Sequence, residues 1–417
     1  MRVPLLKERP FFRDLSFSGA ARLTNVTAVR RSDGLTDKDT GNWTYKLGGN
    51  WAVSSWLRFR GTYGTSFRAP ALFEEFKADE TSFPSARTID PCVNWAFNLA
   101  QGNISQRIAN NCASQGIPPN YGGGSISATV HSEGGVGVLD PETSIAKTFS
   151  IILTPRFAFL PATRLSLAVD YFDIKVKGEV SQLGAKNIIF GCYDSDAFPT
   201  DPLCNLFDRG TQGTDPYAIN NVRDAYINIS KQRSKGVDFT TLVQQNLGRF
   251  GSLTLLGNAT YQLKDKIAVF REVVVNNNGT IGDPKFVANL NATWKPGNGL
   301  SLFWGTEWYG KASNERLYKA RHGGSLCNEA NPSPIWGIYC VRVQVPNTFY
   351  HSASVTKEFK DQGFQITAGV RNIFDTRPPR VSTIGGGGLP SMIGPVVGTS
   401  QYDFLGRRVF LNLSKKF

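Results

Sequence analysis

Trp56-Leu-Arg-Phe-Arg-Gly-Thr-Tyr-Gly-Thr-Ser-Phe67 alternates with a period of two. In an extended chain Leu57, Phe59, Gly61, Tyr63, Thr65 and Phe67 share one face, and Arg58, Arg60, Thr62, Gly64 and Ser66 share the other, because successive side chains of a strand point to opposite sides. The run is long enough to cross a bilayer as a tilted strand, which takes about 9–11 residues. Two arginines on the polar face would be costly in a dry soluble core, but they are at ease in a water-filled barrel lumen.

The pattern recurs along the chain. Leu253, Leu255, Gly257, Ala259, Tyr261 and Leu263 alternate with polar neighbours, as do Ala288, Leu290, Ala292 and Trp294, and Phe364, Ile366, Ala368 and Val370. Weaker alternation covers 13–30, 43–53, 142–155, 164–178, 231–246 and 348–359; 300–315 is of mixed phase, and 402–416 is the last strand. Within 164–178 the apolar face moves from odd to even positions between Tyr171 and Ile174, which predicts a bulge. The total is about twelve strands.

The connections alternate strictly between long and short. Long ones cover 31–42, 69–141, 179–230, 267–283, 316–347 and 375–401; short ones cover 53–55, 156–163, 247–251, 296–299 and 360–362. The short ones carry turn chemistry such as Pro296-Gly-Asn-Gly299. A membrane explains this asymmetry, since outer-membrane barrels have short periplasmic turns and long external loops.

Composition agrees. In 417 residues Gly is high at 42, Met low at 2 and aromatics reach 12%. No apolar run reaches the ~18 residues of a membrane helix. The mean hydropathy of -0.23 does not oppose a barrel, because lumen-facing polar residues cancel lipid-facing apolar ones. The net charge of +13 is spread along the chain rather than gathered in one patch, which argues against nucleic acid as a partner and for anionic outer-membrane lipid and lipopolysaccharide. Met1–Phe12 has no apolar h-region or small-residue cleavage site, so it does not read as a secretory signal. For an outer-membrane protein this predicts a fragment or a truncated frame.

Six cysteines, Cys92, Cys112, Cys192, Cys204, Cys327 and Cys340, fall as three pairs, each inside one long connection. Proximity suggests the bridges Cys92–Cys112, Cys192–Cys204 and Cys327–Cys340, although six cysteines leave other connectivities open. External loops meet an oxidising compartment, as disulfides require. Zinc is disfavoured: no Cys-x-x-Cys spacing occurs, and His131, His322 and His351 are scattered. Neither a metal nor a cofactor is expected. No nucleophile elbow, His-Glu-x-x-His or phosphate loop occurs, and the Gly385–Gly388 run lacks a following Gly-Lys-Ser/Thr, so an enzyme is not expected.

The loop aromatics Trp95, Tyr121, Tyr193, Trp336 and Tyr339 are candidate contacts for a small-molecule ligand, with packing of their own loops as the competing role. Arg58 and Arg60 could draw anionic ligands down the lumen or pair with lumen carboxylates. Stepping back by twos from Phe417 gives Lys415, Leu413, Leu411 and Val409. An alternating strand ending in an aromatic reads as a signal to the barrel-assembly machinery, with Phe417 at the periplasmic rim.

Gly61-Thr-Tyr-Gly-Thr-Ser-Phe-Arg-Ala-Pro70 resembles the strand-to-loop signature of TonB-dependent receptors, and Asp140-Pro-Glu-Thr-Ser144 is similar to the opening of their next strand. Val169-Asp-Tyr-Phe-Asp-Ile174, Ser234-Lys-Gly-Val-Asp-Phe239 and Gly369-Val-Arg-Asn-Ile-Phe-Asp375 follow in the family's order. The resemblance implies an outer-membrane active transporter with a barrel of about 22 strands around a plug. In the family the plug carries the link to the energy-coupling inner-membrane complex. No plug or TonB box is legible here, and Leu5–Asp14 reads as a periplasmic turn in mid-barrel. The expectation is therefore one domain, 1–417: the C-terminal portion of an antiparallel transmembrane β-barrel, an open curled sheet in isolation. It would belong to a receptor for a siderophore, cobalamin or oligosaccharide and would not transport alone. The alternative is a non-transporting β-barrel binding or adhesion protein that uses its bridged external loops.

Overall fold

The computed structural model describes residues 1–101, 103–123, 127–159, 161–210, 216–268, 274–322, 325–329, 332, 334–335, 337–382 and 401–415. Its main sheet is built from strands β1 Arg2–Arg9, β2 Phe12–Val29, β3 Thr36–Ala52, β4 Leu57–Arg68, β5 Glu142–Leu153, β6 Thr163–Ser181 and β7 Ile227–Asn246. It continues through β8 Ser252–Ala268, β9 Phe286–Gly297, β10 Leu300–Tyr309, β11 Thr348–Phe359, β12 Phe364–Arg371 and β13 Arg408–Lys415. Each pairs with the next in chain order, and Val274–Asn276 adds to β8. Among the described residues β1 and β13 do not meet, so the sheet is open.

One strand exceeds the expected number. Leu5–Asp14 reads from the sequence as a turn, but Arg2–Arg9 pairs with β2 from Arg2↔Ser18 to Arg9↔Phe12, and the turn is confined to Pro10-Phe11. Val-Pro-Leu-Leu-Lys-Glu has no alternation to reveal a strand; main-chain bonds to β2 hold it. The expected bulge between Tyr171 and Ile174 is also absent. Pairing of β5 with β6 runs unbroken from Thr143↔Lys177 to Leu153↔Leu167, and the irregularity falls at Gly178, which sits at φ 64°. The phase changes because Phe172 faces the polar side, where its ring covers Gly236 of β7: a Cβ on that glycine would lie 2.5 Å from the ring.

The register puts apolar side chains opposite one another from β8 to β13. Leu253 faces Trp294, Trp294 faces Leu302, Leu302 faces Val355, Val355 faces Ala368 and Ala368 faces Leu411. Leu290, Trp294, Trp304, Val355, Leu411 and Leu413 remain exposed. A continuous exposed apolar surface of this extent is a lipid-facing belt. The opposite face is polar: Thr62 meets Thr148 at 2.6 Å, and Thr260 donates to Asp238 at 2.6 Å. In the turn between β9 and β10 only glycine suits position 299, which has φ 71° and where a Cβ would fall 2.3 Å from the Glu358 carbonyl.

Two positions side by side on β9 test which face meets lipid. Leu290→Arg is expected to cost about 2–4 kcal/mol of folding free energy in a bilayer, whereas Asn289→Arg, on the lumen face, is expected to be near neutral. Denaturant titration of the two variants in lipid vesicles checks this; equal costs would refute the assignment of faces.

Candidate functional site

The chain's candidate functional surfaces are the lumen face and the loops at one end of the strands. Arg60 stands in a lumen row with Ser150, Asp170 and Asp238. Its guanidinium lies 3.6 Å from Asp170, with side chains 52% and 29% exposed, so solvent screens the pair. Asp170 also accepts from the buried Ser150 hydroxyl. Arg58 is exposed near the short-turn end, beside Arg2, Arg13 and Asp14. The two arginines thus lie in different settings, one beside a carboxylate row and one at the turn-side rim.

The connections 69–141 and 182–226 fold together into a unit with its own core. Ile89, Cys92, Ile108 and Cys112 of the first pack with Ile188, Ile189, Cys192 and Ile219 of the second. Thr129–Ser132 pairs in parallel with Ile219–Arg223, flanked by Glu80–Ser82 and Phe207–Arg209. Short helices fill the remainder; one, Gln106–Ser114, starts where the Ser105 hydroxyl accepts from the Ile108 N–H at 3.2 Å. The structure joins the six cysteines as Cys92–Cys112, Cys192–Cys204 and Cys327–Cys340. Closing a loop of 20 residues, as the first does, removes about 3 kcal/mol of unfolded-chain entropy in the loop-closure model.

An ion pair lies inside this unit. The Arg209 guanidinium donates to both oxygens of Asp90, one bond being 2.9 Å, with the side chains 9% and 0% exposed. It also lies 5.1 Å from the centre of the Tyr193 ring. Burial pushes the Tyr193 phenol up to about 12, so it stays neutral and donates to Gln115. Asp224 is buried and accepts from the Gly184 N–H at 3.0 Å; burial holds its carboxyl above the ordinary range, partly offset by the Gly184 and Leu183 N–H groups.

This packing locates the loop aromatics singled out in the sequence. Tyr193 has no exposed surface, and Tyr121 is buried edge-on against Tyr217 at 5.7 Å. Trp95 is half-buried and donates to the Ile117 carbonyl at 3.0 Å. Tyr339 is half-buried in the loop closed by Cys327–Cys340, where its N–H donates to Asn328 at 2.7 Å. Trp336 and Phe417 lie outside the described residues. The structure gathers the first three in one loop core and brings none of them beside Arg58 or Arg60.

Sequence reasoning missed a recess of about 600 Å³ at the loop end of the lumen face, lined among others by Glu307, Tyr309, Tyr350, Arg371, Tyr402 and Arg408. Tyr309 packs edge-on against Tyr350 and Tyr402 at 6.1 and 6.0 Å, and Arg408 pairs with Asp403 at 2.9 Å. The usable signal was the polar phase of β10. It was obscured by Phe303, which faces the lumen beside Gly305, where a Cβ would lie 3.0 Å from the ring.

The family model for TonB dependent receptor-like β-barrels matches residues 10–373. No curated relative matches by sequence. Among solved structures, a mutant of the ferric enterobactin receptor of Pseudomonas aeruginosa is 18% identical over 97% of this chain and 43% of its own, with a TM-score of 0.55. A siderophore receptor of Acinetobacter baumannii is 14% identical over 97% of this chain and 45% of its own, at 0.51. The chain therefore spans less than half the length of these receptors, and the likeness is one of fold.

Two outcomes test the loop core. Replacing Arg209 with Met leaves the Asp90 carboxylate buried and unpaired, and is expected to cost about 3–5 kcal/mol of local stability. Hydrogen exchange would show it as faster exchange across 86–132 and 183–223 with the wall strands unchanged; exchange rates like those of the parent would refute it. Because the Asp224 pKa is raised in the folded loop, its stabilising contribution is present below the unfolded value and lost as pH rises through the folded one. Protease resistance of the loops should therefore increase from neutral to mildly acid pH, and Asp224→Asn should flatten that dependence.

Proposed function

The chain belongs to the TonB-dependent receptor β-barrel family, and we propose that it forms the C-terminal part of the wall of an outer-membrane receptor for active uptake of a scarce nutrient. The observation that carries this reading is the two-faced wall, with one register giving both an exposed apolar belt and a polar lumen face. The loop-end recess supplies the ligand chemistry. Arg371 brings positive charge beside Tyr309, Tyr350 and Tyr402, while Arg408 is paired with Asp403 and Glu307 adds a carboxylate; rings with one guanidinium not held in that pair suit an aromatic-bearing ferric siderophore. The matched solved receptors include ones named for ferric enterobactin and for siderophores, and this favours that class over cobalamin or an oligosaccharide. Transport in this reading needs the plug and the energy-coupling partner, neither of which the described wall supplies. Burial of Tyr121 and Tyr193 weighs against an adhesion protein that recognises partners through these rings.

Uptake of labelled ferric siderophores, cobalamin and maltodextrins by iron-limited cells, with and without the gene, tests the proposal. Loss of siderophore uptake is expected, and Arg371→Ala should weaken apparent affinity by about tenfold, the scale of one charge-assisted contact. Unchanged uptake together with lost surface attachment would replace this reading with adhesion.

A further inference from the structure

We propose that Asp39 and Glu75, with Thr24 and Asn42 beside them, form a calcium site that fastens the first long loop to the rim of the wall. Three elements supply these residues. Thr24 and Asn42 are partners across β2 and β3, and both face the lumen, since their neighbours Leu23 and Trp43 are the exposed apolar pair. Asp39 stands opposite Val26, the next position on the face of Thr24. An extra residue of β3 at this irregularity brings Asp39 and Asn42 onto one face. Glu75 belongs to the helix Leu72–Phe76, which follows β4 and opens connection 69–141.

Four polar atoms of this corner are buried without a hydrogen-bond partner: the Thr24 hydroxyl, Asp39 Oδ2, the Asn42 amide nitrogen and Glu75 Oε2. Nine such atoms occur among the described residues, so one small region holds nearly half of them. Glu75 is only 3% exposed, and a buried carboxylate left unpaired is strongly destabilising. Burial, then the charges of Asp37, Glu74 and Asp39, push its carboxyl above the ordinary range, which shows that these acids lie within electrostatic reach. The basic side chains nearby are engaged elsewhere. Arg30 is held by Asp33 at 3.0 Å and lies over the Phe76 ring. Lys77 pairs with Glu80 at 3.0 Å, and Arg68 holds Glu74 at 2.9 Å. Among the described ion pairs none reaches Asp37, Asp39 or Glu75.

The donor set identifies the cation. Two carboxylates, a hydroxyl and an amide offer oxygen ligands, once a half-turn of the Asn42 amide presents its oxygen in place of its nitrogen. Such sets suit hard divalent cations, whereas zinc and copper favour imidazole and thiolate. Here His131 is bonded to Asp79 at 2.8 Å, and the cysteines are in disulfides. Among the described residues no three Asp, Glu, His or Cys side chains converge as a ready cage, so neutral oxygens and water complete the shell. Calcium accepts this, because it takes about 6–8 oxygens in loose geometry, while magnesium demands a near-ideal octahedron. The consequence is mechanical. Gly134, at the far end of the same connection, stands against the Glu75 main chain, where a Cβ would lie 2.2 Å from the carbonyl oxygen. Val136 donates to that oxygen at 3.1 Å. An ion that joins Glu75 to β3 therefore holds both ends of connection 69–141 on the rim. The recess belongs to β9–β13 and the segment before β13, so this inference stands apart from the uptake reading.

The test titrates calcium chloride into the whole protein, purified from outer membranes in detergent and stripped with a chelator, and follows binding by calorimetry. One ion should bind with a Kd of about 0.1–1 mM, the range of extracellular calcium modules. Glu75→Gln and Asp39→Asn should each weaken binding by at least about tenfold, since affinity follows the count of ligand charges. Asp196→Asn, which changes an exposed loop acid, should bind as the parent does, and the comparison cancels any ion held by co-purified lipid. Heat-modifiable gel migration verifies that each form is folded. Hydrogen exchange gives a second readout. Calcium should slow exchange across 72–77 and 134–139 of the parent and leave 364–371 unchanged. Glu75→Gln relieves the repulsion between acids, so it should exchange slowly there without calcium, whereas a mere folding defect would speed exchange. Absence of saturable binding by the folded parent up to about 10 mM calcium, well above the expected Kd, would mark an ordinary hydrated corner and overturn the proposal. So would unchanged binding by both site variants, or tighter binding of magnesium than of calcium.

Discussion

Main-chain hydrogen bonds between neighbouring antiparallel strands fix the pairing register, and with it the direction of every side chain in the wall. A slip of one residue in any pair would send a strand's apolar set into the lumen and its polar set into lipid. No such slip occurs along the rows from Leu253 to Leu411. The ladder shifts at Gly178 and between Lys235 and Gly236, on the loop side beyond the aromatic row of Phe149, Tyr171 and Tyr261, and also between Pro4 and Leu6, between Thr24 and Val26, and between Trp294 and Gly297 beside a short turn. At each of these places a bulge or irregularity changes the aim of side chains locally. The lipid belt and the lumen face are both products of this one constraint.

The loops answer a different constraint. The long connections between β4 and β5 and between β6 and β7 carry more chain than the wall can order. They escape that entropy cost by burying each other. Disulfides within each connection limit its freedom locally, the Thr129–Ser132 and Ile219–Arg223 pairing joins the two, and the buried Arg209–Asp90 pair completes the core. Removing either partner would leave the other as a buried, unpaired charge, so the pair ties the two connections to this one arrangement.

The sequence made some of this readable and concealed the rest for physical reasons. Alternation in β4, β8 and β9 was plain because lipid and lumen demand opposite residues at adjacent positions, and Pro296-Gly-Asn-Gly299 announced its turn through residues that accept positive φ. Phe172 and Phe303 defeated the same rule locally. Each is an apolar ring on the lumen face that covers a glycine, so the pattern looked like a bulge in one case and a mixed phase in the other. A Cβ built on Gly369 would likewise meet the Phe410 ring, at 2.4 Å. The roles of Tyr121, Tyr193 and Tyr402 were hidden for another reason. Burial of a loop aromatic depends on which distant segment folds over it, and nothing in the neighbouring residues encodes that partner.

The open sheet has a consequence for the membrane. In hydrocarbon no water satisfies free N–H and C=O groups, so a strand edge cannot be left facing lipid. Among the described residues the outer edges of β1 and β13 are both unpaired by wall strands, and β13 presents exposed Val409, Leu411 and Leu413 alongside. Seating in a bilayer thus requires that further strands meet both edges or that the two edges meet each other. Closure of these thirteen strands on themselves would demand a tilt and stagger set for that smaller number. Addition of strands would keep the register already present. Either route acts through the main-chain N–H and C=O groups of the same two edges.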